Sequence, residues 1–186
     1  KSGSTELIEV DRNEQAKMAV DFLQRINTKE IFVTYGTPYH SGTIEDWEYT
    51  VTSMLGCKEP FAQLDLDVNG VMFNFKHKVG GSSIPHGRAT ALLREKLWNG
   101  LWAERGEFPR ANVVVRSHVH YHVYAGNYDG IAMTTPALQG YGSKFGTRQV
   151  SGTVDYGFVY FEVTDKGALS WNPFILRMPY HSHQTA

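Results

Sequence analysis

An unbroken run of β-branched residues, Val113-Val114-Val115, constrains the fold more than any other feature of this chain. Consecutive valines place apolar side chains on both faces of a strand, and a strand of this kind is covered on both sides. A helical pattern over residues 88–104 precedes the run, with Leu93, Leu97 and Leu101 on one predicted face. The sequence therefore predicts an α/β fold with the valine strand buried at the centre of a sheet.

A second helix–strand unit stands earlier in the chain. Residues 14–26 are predicted to be helical, with Asp11 or Asn13 as the cap and an apolar face at helical spacing. That predicted face comprises Ala19, Phe22, Leu23 and Ile26. Residues 31–35 follow as a predicted strand. If both strands run parallel in one sheet, their carboxyl ends lie at the edge where open α/β sheets bind ligands.

Turn residues mark the remaining elements. Thr43 is predicted to cap a second helix that ends near Gly56. Residues 62–67 and 71–76 are predicted to form a hairpin, because Asn69-Gly70 between them is typical of a tight β-turn. The rest of the chain is strand-rich, with turns predicted at 129–130 and 165–167.

Composition bounds the class of protein. With 186 residues, of which 41% are hydrophobic, the chain suits a single domain over 1–186, and residues 177–186 are predicted to be a flexible tail. A formal net charge of -1 gives no global basic field for nucleic acid. Cys57 is the only cysteine, which excludes an intrachain disulfide and fits a cytoplasmic location. No apolar run is long enough to span a membrane, so no membrane partner is expected.

Three alternating histidines, His118, His120 and His122, carry the clearest chemical signal. Neutral imidazoles bind divalent metals, and alternate residues of an extended segment share one face. His40 and His77 also follow predicted strands, so we expect them near the same edge. A cupin site would need a glutamate shortly downstream, and a metallo-β-lactamase site an Asp-His pair, and the chain has neither there. A surface strand with chance histidines remains the alternative.

The order of these segments resembles the calcineurin-like metallophosphoesterases, most closely their phage-type members. Residues 115–120, with Ser117 in place of a glycine, look like the family's G-H-x-H motif. His77 looks like its isolated histidine, and residues 36–40 look like a variant of its G-N-H-[DE] motif. The resemblance implies a metallophosphoesterase-like β-sandwich flanked by helices. It also implies hydrolysis of phosphate mono- or diesters, with nucleic acid or nucleotide among the candidate substrates.

By this resemblance, two divalent ions (Mn, Fe, Zn or Ni) would occupy the site. His77 and His118 would bind one ion and His120 the other, while Thr37 takes the position of the family's asparagine ligand. His40 would be the catalytic histidine that protonates or stabilises the leaving group.

Two further motifs of the family, D-x-H and G-D-x-x-D, have no match before residue 36. We therefore expect upstream residues to complete the site, and the chain alone to bind metal weakly and to hydrolyse slowly. Missing N-terminal strands would expose a sheet edge through which copies of the chain could self-associate. The alternatives are a non-catalytic scaffold module of the same fold and a mononuclear metal-binding domain.

Other features have two interpretations each. Gly80-Gly81-Ser82-Ser83 could bend backbone amides toward a phosphate, or be a plain loop. Three basic side chains could meet substrate phosphates or lie on a solvated surface, namely Lys78, Arg88 and Arg116. Trp98 and Trp102 lie at helical spacing and are predicted to belong to the core.

Overall fold

The structure is a computed structural model that describes residues 8–37, 46–139 and 152–177. Three sequence predictions lie outside these residues: the position of His40, the Thr43 helix cap and the tail beyond Arg177.

The described residues form three α-helices and seven β-strands, numbered here in chain order. The helices are α1 (Arg12–Gln24), α2 (Trp47–Leu55) and α3 (Arg88–Glu104), and the 3₁₀ turn Pro85–Gly87 leads into α3. The strands are β1 (Leu64–Val68), β2 (Val71–Lys76), β3 (Val113–Arg116), β4 (Tyr124–Asn127), β5 (Gly130–Thr134), β6 (Tyr156–Val163) and β7 (Leu169–Leu176). Within the described residues, no helix is long and apolar enough to cross a membrane.

The valine strand β3 lies at the centre of a five-stranded sheet of order β1-β2-β3-β5-β4. It runs parallel to both neighbours, β2 and β5, while β1 and β4 pair antiparallel at the edges. Val113 and Val114 are both 0% exposed. The prediction of a central strand covered on both faces is confirmed.

The two faces of this sheet have different covers. On one face, Val113 and Val115 pack with Phe73, whose ring meets Phe161 of the separate β6–β7 sheet edge-on at 5.2 Å. On the other face, Val114 packs in a cluster with the fully buried Leu92 of α3. Burial of one such side chain stabilises the fold by about 1.5–3 kcal/mol. The architecture is therefore mixed α/β, with two packed sheets and flanking helices, as the sequence predicts.

The β1–β2 hairpin turns at the predicted dipeptide. Asn69 and Gly70 have φ angles of 50° and 83°, as both central residues of a type I′ turn require. The Gly70 amide donates to the Asp67 carboxylate at 2.8 Å and fixes the turn.

Helix α1 begins as predicted but buries a different face. The Asp11 carboxylate accepts hydrogen bonds from the amides of Asn13 and Glu14, so Asp11 is the cap. The buried residues are Ala16 and Val20. Helix α1 packs against α2, and the predicted apolar face is wrong, because its members are not the buried residues. Its larger members Phe22 and Ile26 are exposed.

The predicted face of α3 is also wrong, since Leu93, Leu97 and Leu101 are all exposed. Trp98 and Trp102 are 53% and 37% exposed, so the prediction that they belong to the core is wrong too.

The buried stripe of α3 contains Leu92 and Asn99 instead. The Asn99 side chain donates to the Pro109 carbonyl at 3.1 Å and accepts from the Ala111 amide at 2.8 Å. These bonds tie the helix to the loop that returns the chain to β3. The orientation of α3 therefore depends on a polar residue that hydrophobic periodicity passes over.

Residues 31–35 do not join the five-stranded sheet, which corrects the prediction of a strand parallel to β3. They form an isolated parallel bridge, in which Thr34 pairs with Phe61. Both sides of β3 are already occupied by β2 and β5, so no position beside it remains.

Candidate metal-binding site

The parallel pairing of β2 and β3 brings two of the predicted ligands together. Lys76 and Arg116 are register partners at the ends of these strands, so the chain leaves the sheet twice at one edge. The Ser117 amide donates to the His77 carbonyl at 2.9 Å and extends the ladder by one step. Just beyond it, His77 Nε2 lies 3.1 Å from His118 Nδ1, and the ring planes are inclined at 71°.

This nitrogen separation fits two ligands of one metal ion. Ligands about 2.0–2.1 Å from zinc, at octahedral to tetrahedral angles, are separated by about 2.8–3.4 Å. The same distance allows a ring N–H of one histidine to donate to the other ring. Metal binding would displace that proton, because imidazole coordinates through a free lone pair.

The loop that carries His118 and His120 is not extended. His118 has a φ of 78° and His120 a φ of 60°, in the left-handed region that non-glycine residues rarely adopt. The prediction that His118, His120 and His122 alternate along one face is therefore wrong. Left-handed non-glycine residues cost about 1–3 kcal/mol each and persist only when their surroundings hold them.

His122 has a separate environment. Its Nδ1 lies 2.7 Å from the Thr134 carbonyl, so this nitrogen carries the proton and donates. Its Nε2 is buried and has no hydrogen-bond partner within the described residues. The ring lies against Trp171 of β7, with 6.2 Å between centroids, so its contacts run to the β6–β7 sheet.

Asp155, which directly precedes β6, holds the loop of residues 118–122, and the sequence analysis did not identify it. Its carboxylate accepts from the His122 amide at 2.6 Å, and its own amide donates to the His120 carbonyl at 2.8 Å. The Ala137 amide in turn donates to the Asp155 carbonyl at 2.9 Å. Nothing in the sequence around Asp155 signals this role, which depends on the packing of the residues before β6 against a distant loop.

The other predicted site residues are Thr37, His120 and His40. The Thr37 hydroxyl is buried and has no hydrogen-bond partner within the described residues. His120 is half-buried, and Asp155 fixes its backbone. His40 lies outside the described residues. The metal-binding roles of His77, His118, His120 and Thr37 remain predictions. In the part of the chain that the structure describes, no group of three or more His, Cys, Asp or Glu is placed to hold a metal ion.

Arg116 supports the site rather than facing a substrate. Its side chain is buried, and Nε donates to the Glu95 carboxylate of α3 at 2.9 Å. Its Nη1 donates to the carbonyls of Asn74 and Val115. Burial lowers the pKa of the Arg116 guanidinium, and the hydrogen bond and charge of Glu95 oppose that shift. The interpretations of Arg116 as a phosphate contact or a solvated surface residue are wrong; it fixes the ends of β2 and β3 beside His77.

No protein-family model and no curated protein matches the chain. The solved structures that are similar to it at low identity include the following three. The solution NMR structure of the Thermotoga maritima protein TM1076 is 18% identical, with a TM-score of 0.42, over 86% of this chain and 73% of that one. Vps29 from Entamoeba histolytica, crystallised with Zn²⁺, is 13% identical, with a TM-score of 0.42, over 83% of this chain and 88% of that one. A single mutant of that Vps29 is 14% identical, with a TM-score of 0.43, over 84% of this chain and 89% of that one.

Proposed function

We propose that this chain belongs to a metal-dependent hydrolase of phosphate mono- or diesters, in which His77 and His118 hold one divalent ion. The 3.1 Å separation of their ring nitrogens carries the proposal. The order of motifs that resembles the calcineurin-like metallophosphoesterases supplies the reaction class.

The same resemblance supplies the remaining roles of a two-metal site. By that resemblance His120 would bind the second ion, Thr37 would be a further ligand, and His40 would protonate the leaving group. Mn, Fe, Zn or Ni would suit these donors. When bound, the ions supply Lewis-acid chemistry, which neutralises charge on phosphoryl oxygens and makes a nearby water more acidic.

The chain's own residues supply binding and orientation. The carboxylate and the backbone amide of Asp155 fix the His118–His122 loop, and the ladder bond from Ser117 fixes the His77 backbone beside it. Both proposed ligands of the first ion are neutral, so they do not balance its charge. We propose that carboxylates beyond the described residues complete the ligand set, and that metal affinity is weak without them.

Hydrolysis of p-nitrophenyl phosphate and bis(p-nitrophenyl) phosphate with added Mn²⁺ or Zn²⁺ tests this function. His77→Ala and His118→Ala should each lower the metal-dependent rate by about tenfold or more, the scale of losing support for a metal. His86→Ala is the matched control, because His86 is exposed in the 3₁₀ turn. Equal rates in all four proteins would contradict the proposal.

A second candidate function is a non-catalytic metal-binding or scaffold module of the same fold. The outward face of α3 favours it, since large exposed apolar patches mark protein contacts. This face comprises Leu93, Leu97, Trp98, Leu101 and Trp102. Saturable metal binding that needs His77 and His118, without metal-dependent hydrolysis of either ester, would favour this second function.

A further inference from the structure

A cavity of about 430 Å³ is lined in part by His118. Its volume is within the range of small-molecule sites. The lining comes from the segment after β2, the first residue of α3, the loop after β3 and the segment before β6, namely residues 78–83, 88, 118–119, 121 and 152–153.

The charges on this lining have one sign. Lys78 and Arg88 both line the cavity, and no aspartate or glutamate does so among the described residues. The guanidinium of Arg94 lies close to Gly80 of the lining, 3.3 Å from the position that a Cβ on this glycine would take. The hydroxyls of Ser82, Ser83 and Thr153 supply neutral donors. Such a surface favours an anion with several acceptor oxygens.

Two contacts hold the Arg88 side chain in place, and its Nε–H group has no acceptor within the described residues. Its guanidinium lies 4.1 Å from the centre of the Tyr121 ring, and its Nη1 donates to the Thr153 hydroxyl at 3.0 Å. Its Nε is buried without an acceptor within the described residues. A guanidinium carries five N–H donors in a fixed plane, which matches phosphate oxygens. An anion in this cavity would therefore meet a cation whose orientation is already fixed.

Lys78 is arranged differently. It directly follows His77, is exposed, and has no ion pair within the described residues. Its charge is therefore available to a ligand at little structural cost. Because Lys78 directly follows His77, the cavity lining begins at the residue next to the histidine pair.

We propose that this cavity binds the phosphate group of a phosphorylated small molecule. If the proposed function holds, on which this part rests, that phosphate belongs to the substrate and the cavity orients it beside His77 and His118. The volume of about 430 Å³ suits a small phosphate ester.

The test uses inorganic phosphate and the chain freed of metal with EDTA, so that metal coordination plays no part. Titration calorimetry should show saturable phosphate binding, and acetate at equal ionic strength should not compete with it. Lys78→Gln and Arg88→Lys should each weaken binding by about tenfold, a loss that calorimetry resolves easily. Lys166→Gln, in the exposed β6–β7 turn, removes the same charge elsewhere and should leave binding unchanged.

Both variants are chosen to leave the fold intact, so that a loss of phosphate binding does not reflect unfolding. Lys78→Gln changes an exposed side chain, and Arg88→Lys keeps a positive charge near Tyr121. Circular dichroism checks the fold of both. No saturable binding, or wild-type affinity in Lys78→Gln, would overturn the proposal. Equal competition by acetate, or tighter binding of a single-stranded oligonucleotide than of phosphate, would also overturn it. Loss of hydrolysis in His77→Ala with phosphate binding intact bears only on the proposed function.

Discussion

Replacement of Asp155 by alanine should loosen the histidine loop and destabilise the fold. The Asp155 carboxylate accepts the His122 amide at 2.6 Å, and alanine would leave that half-buried amide without this acceptor. A hydrogen bond to a charged group contributes about 1.5–3 kcal/mol. Relaxation of the left-handed residues His118 and His120 would offset part of the loss. The net cost should be about 1–2 kcal/mol.

Urea denaturation and hydrogen exchange measure the two consequences. With a denaturant slope of about 2 kcal/mol per molar urea, the midpoint should fall by about 0.5–1 M. The His122 amide should exchange faster, because its acceptor is gone. Asp155→Asn keeps an acceptor oxygen and should show a smaller effect, and Asp165→Ala, in the β6–β7 turn, is the matched control. An unchanged midpoint and unchanged exchange at His122 would refute the role assigned to Asp155.

Two further substitutions test the fold around the site. Val114→Asp should prevent folding, because a carboxylate would enter a fully buried position on a strand with a parallel neighbour on each side. Normal expression and an unchanged melting temperature of this variant would count against the central strand. Glu95→Gln should destabilise the fold by about 1–3 kcal/mol in urea denaturation, since it leaves the buried Arg116 without its counter-charge. Glu104→Gln removes the exposed pair with Arg110 and should cost under about 1 kcal/mol, so equal effects of the two changes would contradict the assignment of Arg116.

Local chemistry explains what the sequence predicts correctly. The valine run can only be a strand covered on both faces, Asn69-Gly70 supplies the two positive φ angles of a tight turn, and Asp11 caps α1. Each of these features depends on neighbours in the sequence.

The errors concern contacts between distant segments. Periodicity alone could not select the buried face of α3, which depends on the bonds from Asn99 to the loop around Pro109. Residues 31–35 have the composition of a strand, but β2 and β5 already flank β3.

In the candidate site, too, one feature could be predicted from the sequence and others could not. The meeting of His77 and His118 follows from two parallel strands that end together, so motif order could anticipate it. The turn of the loop at His118 and His120 could not be read from the sequence, because positive φ angles are unusual for histidine. Asp155 lies 33 residues from its partner His122, so only the folded chain reveals it.

The most direct test of the central claim is a Co²⁺ titration followed by its visible absorption, which reports nitrogen coordination. Wild-type protein should show a saturable absorption band, and His77→Ala and His118→Ala should each reduce the apparent affinity by about tenfold or more, while His86→Ala leaves it unchanged. A lower pH should weaken binding in the wild type, because protons compete for the imidazole lone pairs. The absence of a saturable band in the wild-type protein, or equal affinity in His77→Ala and wild type, would contradict the assignment of this histidine pair as a metal site.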